Sequence, residues 1–236
     1  HARILRSPLI SSRTHFPMLS DQQTTTMLSL QAAMNAKVDP NWVSARYPYM
    51  RAVVIEAAEA IEHHGWKWWK KQDKDLAQLQ MELIDIWHFL LSEILLNEQG
   101  SETAAQPKLA AQLSAIDLSG IIEFDGKQYE LSSLDLLNQL ELLIALSAAR
   151  KIELSVFAAI MKNCELNWTE LYCQYVGKNV LNFFRQDHGY QEGTYQKMWN
   201  GREDNEYLVD VMSELDPNDL EYKDKLYGAL RAHYPS

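Results

Sequence analysis

The chain has 236 residues, a formal net charge of −10 and a hydrophobic content of 47%. An acidic chain makes a poor partner for duplex nucleic acid, and no apolar run approaches the roughly 20 residues of a membrane span. Its two cysteines, Cys164 and Cys173, lack C-x-x-C spacing, which favours reduced thiols in a cytoplasm-like compartment. We therefore expect a cytoplasmic protein with one good core and with neither a membrane nor a nucleic acid as partner.

The N-terminal stretch differs in composition from the rest of the chain. It begins at His1, and residues 1–17 contain three arginines and no acid. An organelle transit segment has a similar composition, but vector-derived sequence or translation upstream of Met18 also explains it. We interpret residues 1–20 as an extension, vector-derived or disordered, and residues 21–236 as a single all-α domain.

Two strongly apolar helical stretches each carry a pair of acids, Glu56-x-x-Glu59 and Glu82-x-x-Asp85. Residues i and i+3 lie about 60° apart on a helix, so each pair projects from one face. Four acids on buried faces would repel one another unless a cation neutralised them. Carboxylate ligands without cysteine partners suit Mg²⁺. The pattern predicts a magnesium site, against the alternative of two solvated acidic stripes.

The segment between these acid pairs, GWKWWKK at 65–71, alternates tryptophan with lysine. Base stacking is one interpretation, but a single basic cluster in an acidic chain is a weak footprint for nucleic acid. His63 and His64 are expected to lie at a helix end beside Gly65. Asp85-x-x-His88 has half the pattern of a di-iron carboxylate site, and the other acid-bearing helix does not supply the second half.

An insertion is predicted between the core helices at about 99–151. It begins with a link at 99–115 that is rich in Gly, Ser, Ala and Gln. The following segment contains one plausible β-hairpin, centred on Asp125-Gly126, within an otherwise helical pattern.

A positive island occupies residues 175–208. Lys178, Asn182 and Arg185 share one helical face at i, i+4 and i+7, and glycines then bend the chain into a loop. Cations, amides and a glycine-bent backbone suit a polyphosphate, although no Walker loop is present. An ordinary helix with a polar tail is the alternative. The loop carries Tyr190, Tyr195, Lys197 and Asn205.

Taken together, these motifs resemble the dimeric, all-α dUTP diphosphatases, a branch of the all-α nucleoside triphosphate pyrophosphohydrolases. The resemblance covers about Met27 to Leu208. It is carried by LQAAMN at 30–35, EAAE at 56–59, GWKWWK at 65–70, ELIDIWHF at 82–89 and GKNVLNFFRQDHGYQEGTYQKMWNGREDN at 177–205.

The resemblance implies an antiparallel helix bundle that forms a homodimer and hydrolyses dUTP to dUMP and pyrophosphate with Mg²⁺. It also implies that the insertion is mobile and closes over substrate, and it makes dUDP a further candidate substrate. Two alternatives remain at this point. One is a related all-α pyrophosphohydrolase acting on another deoxynucleotide such as dCTP, and the other is a non-catalytic helical binding protein.

The resemblance also assigns roles to individual residues. The catalytic acids and magnesium ligands would be Glu56, Glu59, Glu82 and Asp85. The phosphate-binding residues would be Lys178, Asn182, Arg185, Tyr190, Lys197 and Asn205. The base and sugar would be bound by Gln31, Asn35, Trp66, His88 and Phe89.

Substrate selectivity follows from the chemistry of these side chains. An amide such as Gln31 or Asn35 distinguishes the hydrogen-bonding pattern of uracil from that of cytosine. Trp66 is the candidate wall against the methyl group of thymine. Phe89 beneath the sugar would leave a 2′-hydroxyl without a partner and so disfavour UTP.

Overall fold

The computed structural model describes residues 18–235, so most of the interpreted N-terminal extension lies outside the described residues. Within that range the protein is 65% helical, which confirms the all-α prediction. The helices are α1 (Asp21–Val38), α2 (Trp42–Ala45), α3 (Tyr49–His64), α4 (Leu76–Asn97), α5 (Glu102–Ser114), α6 (Leu136–Ala148), α7 (Leu154–Asn163), α8 (Trp168–Asp187), α9 (Asp204–Glu214) and α10 (Tyr222–His233). Two small sheets contain β1 (Ile121–Phe124) with β2 (Lys127–Glu130) and β3 (Met198–Trp199) with β4 (Arg202–Glu203).

Local sequence signals set the ends of the helices that form the site. Ser20 begins α1 with a capping box, in which its hydroxyl accepts from the backbone N–H of Gln23. Asn167 caps α8 in the same way. Helix α3 ends as predicted at His64, where Gly65 adopts a φ of +85° that favours glycine.

Helix α4 is central to the core and packs against α1, α3, α5 and α8. Its Trp87 is fully buried, stacks on Phe157 with ring centroids 5.4 Å apart and meets the edge of Trp168. Although α4 is strongly apolar, none of the helices in residues 18–235 is both long and apolar enough to cross a membrane. The core therefore fixes α4 at the centre, with its acids facing α3.

Backbone and side-chain contacts show that α3 and α4 run antiparallel. The end of α3 meets the start of α4, because the His63 carbonyl accepts from the backbone N–H of Asp75 at 2.8 Å, whereas Glu56 in the middle of α3 contacts Glu82 further along α4. The two helices therefore run in opposite directions, as is usual for neighbouring helices joined by a short connection.

The insertion folds largely as expected. The hairpin is confirmed: β1 and β2 pair antiparallel, and Asp125 and Gly126 both have positive φ, as a tight two-residue turn requires. The link at 99–115 contains a full helix, α5, because Ser101 caps it and Ala105, Leu109 and Leu113 recur at a spacing of four and are buried. The mobility of this region stays a prediction.

Candidate active site

Three carboxylates from α3 and α4 converge. Glu56, Glu59 and Glu82 each offer one oxygen, and these oxygens all lie within 4.8 Å of one another. His63 Nε2 lies 3.2 Å from Glu82 Oε1. Burial raises the pKa of both Glu56 and Glu82, and the nearby charge of Asp85 raises them further. The cluster therefore holds protons readily at neutral pH or, equally, favours a bound cation.

Asp85, the fourth predicted acid, lies next to this cluster but is paired differently. Its Oδ2 accepts from Lys178 Nζ at 3.0 Å, and the same ammonium donates to Asn205 Oδ1 at 3.0 Å. The Lys178 side chain is only 2% exposed, so this cation sits in the interior beside the acids. Lys178 thus joins the predicted metal site to the predicted phosphate site.

A cavity of about 390 Å³ opens beside the acids. Four of the predicted binding residues do not line it: Trp66, Lys178, Lys197 and Asn205. Trp66 Nε1 donates to Glu62 at 2.8 Å, Lys197, 53% exposed, pairs with Glu203 at 3.4 Å, and Lys178 donates to Asn205. The cavity does bring together most of the predicted base, sugar and phosphate positions. The predicted residues that line it are Gln31, Asn35, Glu56, Asp85, His88, Phe89, Asn182, Arg185 and Tyr190.

A buried polar network forms one end of the cavity. Gln31 Oε1 lies 2.8 Å from His88 Nδ1 and 3.0 Å from the hydroxyl of Tyr175. The Gln31 amide nitrogen donates to Asn35 Oδ1 at 3.1 Å and to Ser92 Oγ at 2.9 Å. These contacts hold the amides of α1 in fixed orientations.

His88 is the member of this network with spare hydrogen-bonding capacity. It is 4% exposed, and its Nε2 has no partner among the described residues. Burial lowers the pKa of His88 to about 4, so the imidazole is neutral near pH 7. A buried, unpaired nitrogen on the wall of a cavity is a natural contact for a ligand.

The other end of the cavity is basic, because Arg185 lies ten residues, or about 15 Å, further along α8 than Tyr175, which contacts Gln31. Arg185 Nε and NH2 donate to the two oxygens of Asp204 at 2.8 and 2.9 Å, and the guanidinium lies 5.8 Å from the ring of Tyr190. Burial alone would lower the pKa of Arg185, but the hydrogen bonds and charge of Asp204 raise it above its ordinary value. Gly189, with a φ of +86°, turns the chain after α8 and returns the loop towards this arginine.

Sequence reasoning missed four residues of the site. Helical spacing was sufficient to find three of them, because His63 continues the stripe of Glu56 and Glu59, Ser92 follows His88 by one turn, and Tyr175 precedes Lys178 by one turn. The fourth, Asp204, lies 19 residues beyond Arg185, and no helical spacing links the two.

Comparison with known proteins identifies the family of the chain. A family model described as dUTPase matches residues 23–190, which include almost all of α1 and the whole of α3, α4 and α8. The chain belongs to the dUTPase family. This dUTPase is accordingly a dUTP diphosphatase, a hydrolase, and the resemblance found in its motifs is confirmed. A search of curated proteins gives no match.

Metal-free dUTPase should lose stability as the pH rises. Unfolded glutamates titrate near 4.5, whereas the pKa of Glu56 and Glu82 is raised in the folded state. The folded state therefore binds more protons between these values, so stability is fully present below the unfolded pKa and is lost as pH rises through the folded one. We expect the free energy of unfolding in EDTA to fall from about pH 4.5, where the unfolded glutamates ionise, to about pH 8, where Glu56 has also ionised in the folded state.

Urea denaturation at a series of pH values checks this expectation. The Glu56→Gln variant should show a flatter dependence over the same range, because an amide does not titrate. A wild-type slope that Glu56→Gln leaves unchanged would show that the acid cluster is not its source.

Proposed function

We propose that the cavity binds dUTP with its base at the Gln31 end and its phosphates at the Arg185 end, and that Mg²⁺ assists its hydrolysis to dUMP and pyrophosphate. The observation that carries the proposal is the convergence of Glu56, Glu59 and Glu82 beside a cavity whose two ends differ in chemistry. One end offers buried amides and an imidazole, and the other a guanidinium. A nucleotide has this same polarity, with a base at one end and anionic phosphates at the other.

The donor set fits magnesium. The cluster consists of carboxylates from two rigid helices, which are hard oxygen ligands. Its repulsion has few compensating cations, since Lys178 is already paired with Asp85 and His63 contacts only Glu82 among the three. Glu56, Glu59 and Glu82 would hold the ion, with Asp85 as the neighbouring fourth ligand. A bound Mg²⁺ neutralises phosphate oxygens and lowers the pKa of water.

The protein's own groups account for the rest of the reaction. Water attacks a phosphorus of dUTP, the bond to the leaving oxygen breaks, and a glutamate of the cluster accepts the proton of the water. Arg185 and Lys178 stabilise the charge that develops on the pyrophosphate. Phe89, which lines the cavity, packs against the deoxyribose. Tyr190 and Asn182 complete the binding of the phosphates, and Lys197 joins them if the loop moves inward.

Base selectivity is proposed to reside in Gln31, and Gln31→Met should weaken it. This near-isosteric change removes the amide from the buried network, so we expect kcat/KM for dUTP to fall about 10–100-fold. The ratio of dUTP to dCTP turnover should fall with it. Gln106→Met on α5 serves as the control and should leave both values unchanged. An unaltered dUTP-to-dCTP ratio in Gln31→Met would contradict the assignment.

We further propose that two copies pair through an exposed apolar surface, defined by Tyr47, Pro48, Tyr49, Ala52 and Ile55. Ile55 is 52% exposed, and Tyr47 and Tyr49 also line the active-site cavity. The surface is thus continuous with the site, and a second copy would cover both its apolar face and the edge of the cavity.

Ile55→Glu should therefore produce a monomer, because a charge would be buried in the interface. Analytical ultracentrifugation at micromolar concentration is the measurement. Val209→Glu is the control, since Val209 is comparably exposed at 46% but lies on α9 away from this surface. A wild-type protein that sediments only as a monomer would refute the dimer.

A product assay tests the function directly. The purified protein is incubated with dUTP, dTTP, dCTP or UTP, with Mg²⁺ or with EDTA, and the nucleotides are separated by chromatography. We expect dUMP from dUTP alone, and no product in EDTA. Monophosphate from dCTP or from several triphosphates would keep the fold and overturn the assignment of the base and sugar residues.

The setting of this activity is proposed from the rest of the chain. Both cysteines are free, and the net charge is acidic. We infer a reducing, cytoplasm-like compartment, in which the enzyme lowers dUTP and supplies dUMP without a nucleic-acid partner.

A further inference from the structure

Asp204 is the most completely buried carboxylate of the described residues near the site. Its side chain is 0% exposed, and it is not part of the cavity wall. Four donors satisfy it: Arg185 Nε at 2.8 Å, Arg185 NH2 at 2.9 Å, the Tyr195 hydroxyl at 2.8 Å and the backbone N–H of Asn205 at 2.8 Å. A charge so buried is tolerated only with such partners, and here they include a residue that does line the cavity.

The pairing fixes the plane of the Arg185 guanidinium. Asp204 takes one edge of the fork, through Nε and NH2, which leaves the NH1 edge with a long contact of 3.4 Å to Asn182 Oδ1. A two-point contact holds a planar guanidinium in one orientation, whereas a single contact lets it rotate. The remaining edge of the Arg185 guanidinium is therefore held in one orientation at the cavity wall before a ligand binds.

Asp204 is itself held by three parts of the fold. It begins α9, it receives Arg185 from α8, and it receives Tyr195 from the intervening loop. Tyr195 stacks on Tyr234 with centroids 5.4 Å apart, just beyond α10, and Tyr234 in turn accepts from the backbone N–H of Gln196 at 3.1 Å. Tyr234 thus fixes Tyr195, and Tyr195 in turn fixes the Asp204 carboxylate.

We propose that Asp204 is a positioning residue that orients Arg185 for the phosphate chain and contributes nothing to recognition of the base. This inference rests on the proposed function of the cavity. Because Asp204 acts only through the guanidinium, its loss should affect ligands that carry phosphates and spare ligands that lack them.

Asp204→Asn tests the inference, since the amide keeps the size of the carboxylate but loses its charge and one acceptor. Inhibition by pyrophosphate and by deoxyuridine is measured against dUTP hydrolysis in Mg²⁺. We expect pyrophosphate to bind about 10–100-fold more weakly, the loss typical of a charged hydrogen bond, with deoxyuridine binding unchanged. Equal weakening of both ligands would reduce Asp204 to a purely structural role and overturn the proposal.

A double-mutant cycle with Arg185→Lys decides whether Asp204 acts through Arg185. The two changes should be strongly non-additive in pyrophosphate affinity. A lysine ammonium cannot form the two-point contact with Asp204 that orients a guanidinium, so Asp204 has little left to position once Arg185 is replaced. Additive losses would contradict the proposal. If Asp204→Asn fails to fold, Tyr195→Phe takes its place in the cycle, with a smaller expected loss for pyrophosphate alone.

Failure of the proposed function would look different. A wild-type protein that neither turns over dUTP nor binds pyrophosphate would refute the function. A wild-type protein that does both, with an Asp204→Asn variant that binds pyrophosphate equally well, would refute only the positioning role.

Discussion

Glu56→Gln should abolish nearly all dUTP hydrolysis while the protein remains folded. Glu56 is the glutamate of the cluster that also lines the cavity, and its oxygen lies within 4.8 Å of those of Glu59 and Glu82. The amide removes a metal ligand and a proton acceptor together, so kcat should fall about 10³-fold or more, the order expected of such groups. Steady-state kinetics in Mg²⁺ and titration calorimetry with Mg²⁺ in the absence of nucleotide are the measurements.

The same substitution should stabilise the metal-free protein near pH 8. The raised pKa of Glu56 means that its ionised form is disfavoured in the folded state, and glutamine removes that cost. Glu141→Gln, at an exposed position on α6, is the matched control and should change neither activity nor stability. Glu59→Gln should lose most activity as well. Near-full turnover by Glu56→Gln in Mg²⁺ would refute the proposed mechanism.

The acid pairs could be recognised in the sequence because they stand at positions where a carboxylate costs stability and is kept for activity. Glu56 and Glu82 interrupt apolar faces, where a core alone would favour leucine or alanine. Local helical spacing then places each acid on the same face as its neighbour, which is geometry that a single helix determines. The all-α class, the helix end at Gly65 and the hairpin at Asp125-Gly126 follow from equally local signals.

Other parts of the site depend on tertiary contacts that no periodicity encodes. Lys178 reaches Asp85 across 93 positions in sequence, and Tyr175 reaches Gln31 across 144. Asp204 lies 19 residues beyond Arg185, with a glycine-bent loop and a two-residue hairpin between them. Helical spacing singled out Lys178 and resemblance to a family supplied Gln31, but neither revealed which buried partners orient them. The binding roles of Trp66, Lys178, Lys197 and Asn205 were assigned on resemblance, and all four residues lie off the cavity wall.

Lys178→Met should damage both stability and catalysis. Lys178 is 2% exposed and is the ammonium that faces Asp85, so its removal leaves a carboxylate beside three others. Breaking a buried pair in this way costs about 2–4 kcal/mol of unfolding free energy, with allowance for the partial exposure of Asp85. Turnover should also fall about 10²-fold or more, because a preorganised cation near the phosphates is lost.

The double variant Lys178→Met/Asp85→Asn separates these two effects. Removing both charges eliminates the unpaired carboxylate, so most of the lost stability should return, whereas activity should remain at least as low as in the single variant. Urea denaturation in EDTA at pH 8 measures the first quantity and kcat for dUTP the second. A double variant no more stable than Lys178→Met would show that repulsion at Asp85 is not the cause of the loss. Full turnover by either variant would place Lys178 outside the reaction and leave Arg185 as the principal cation for the phosphates.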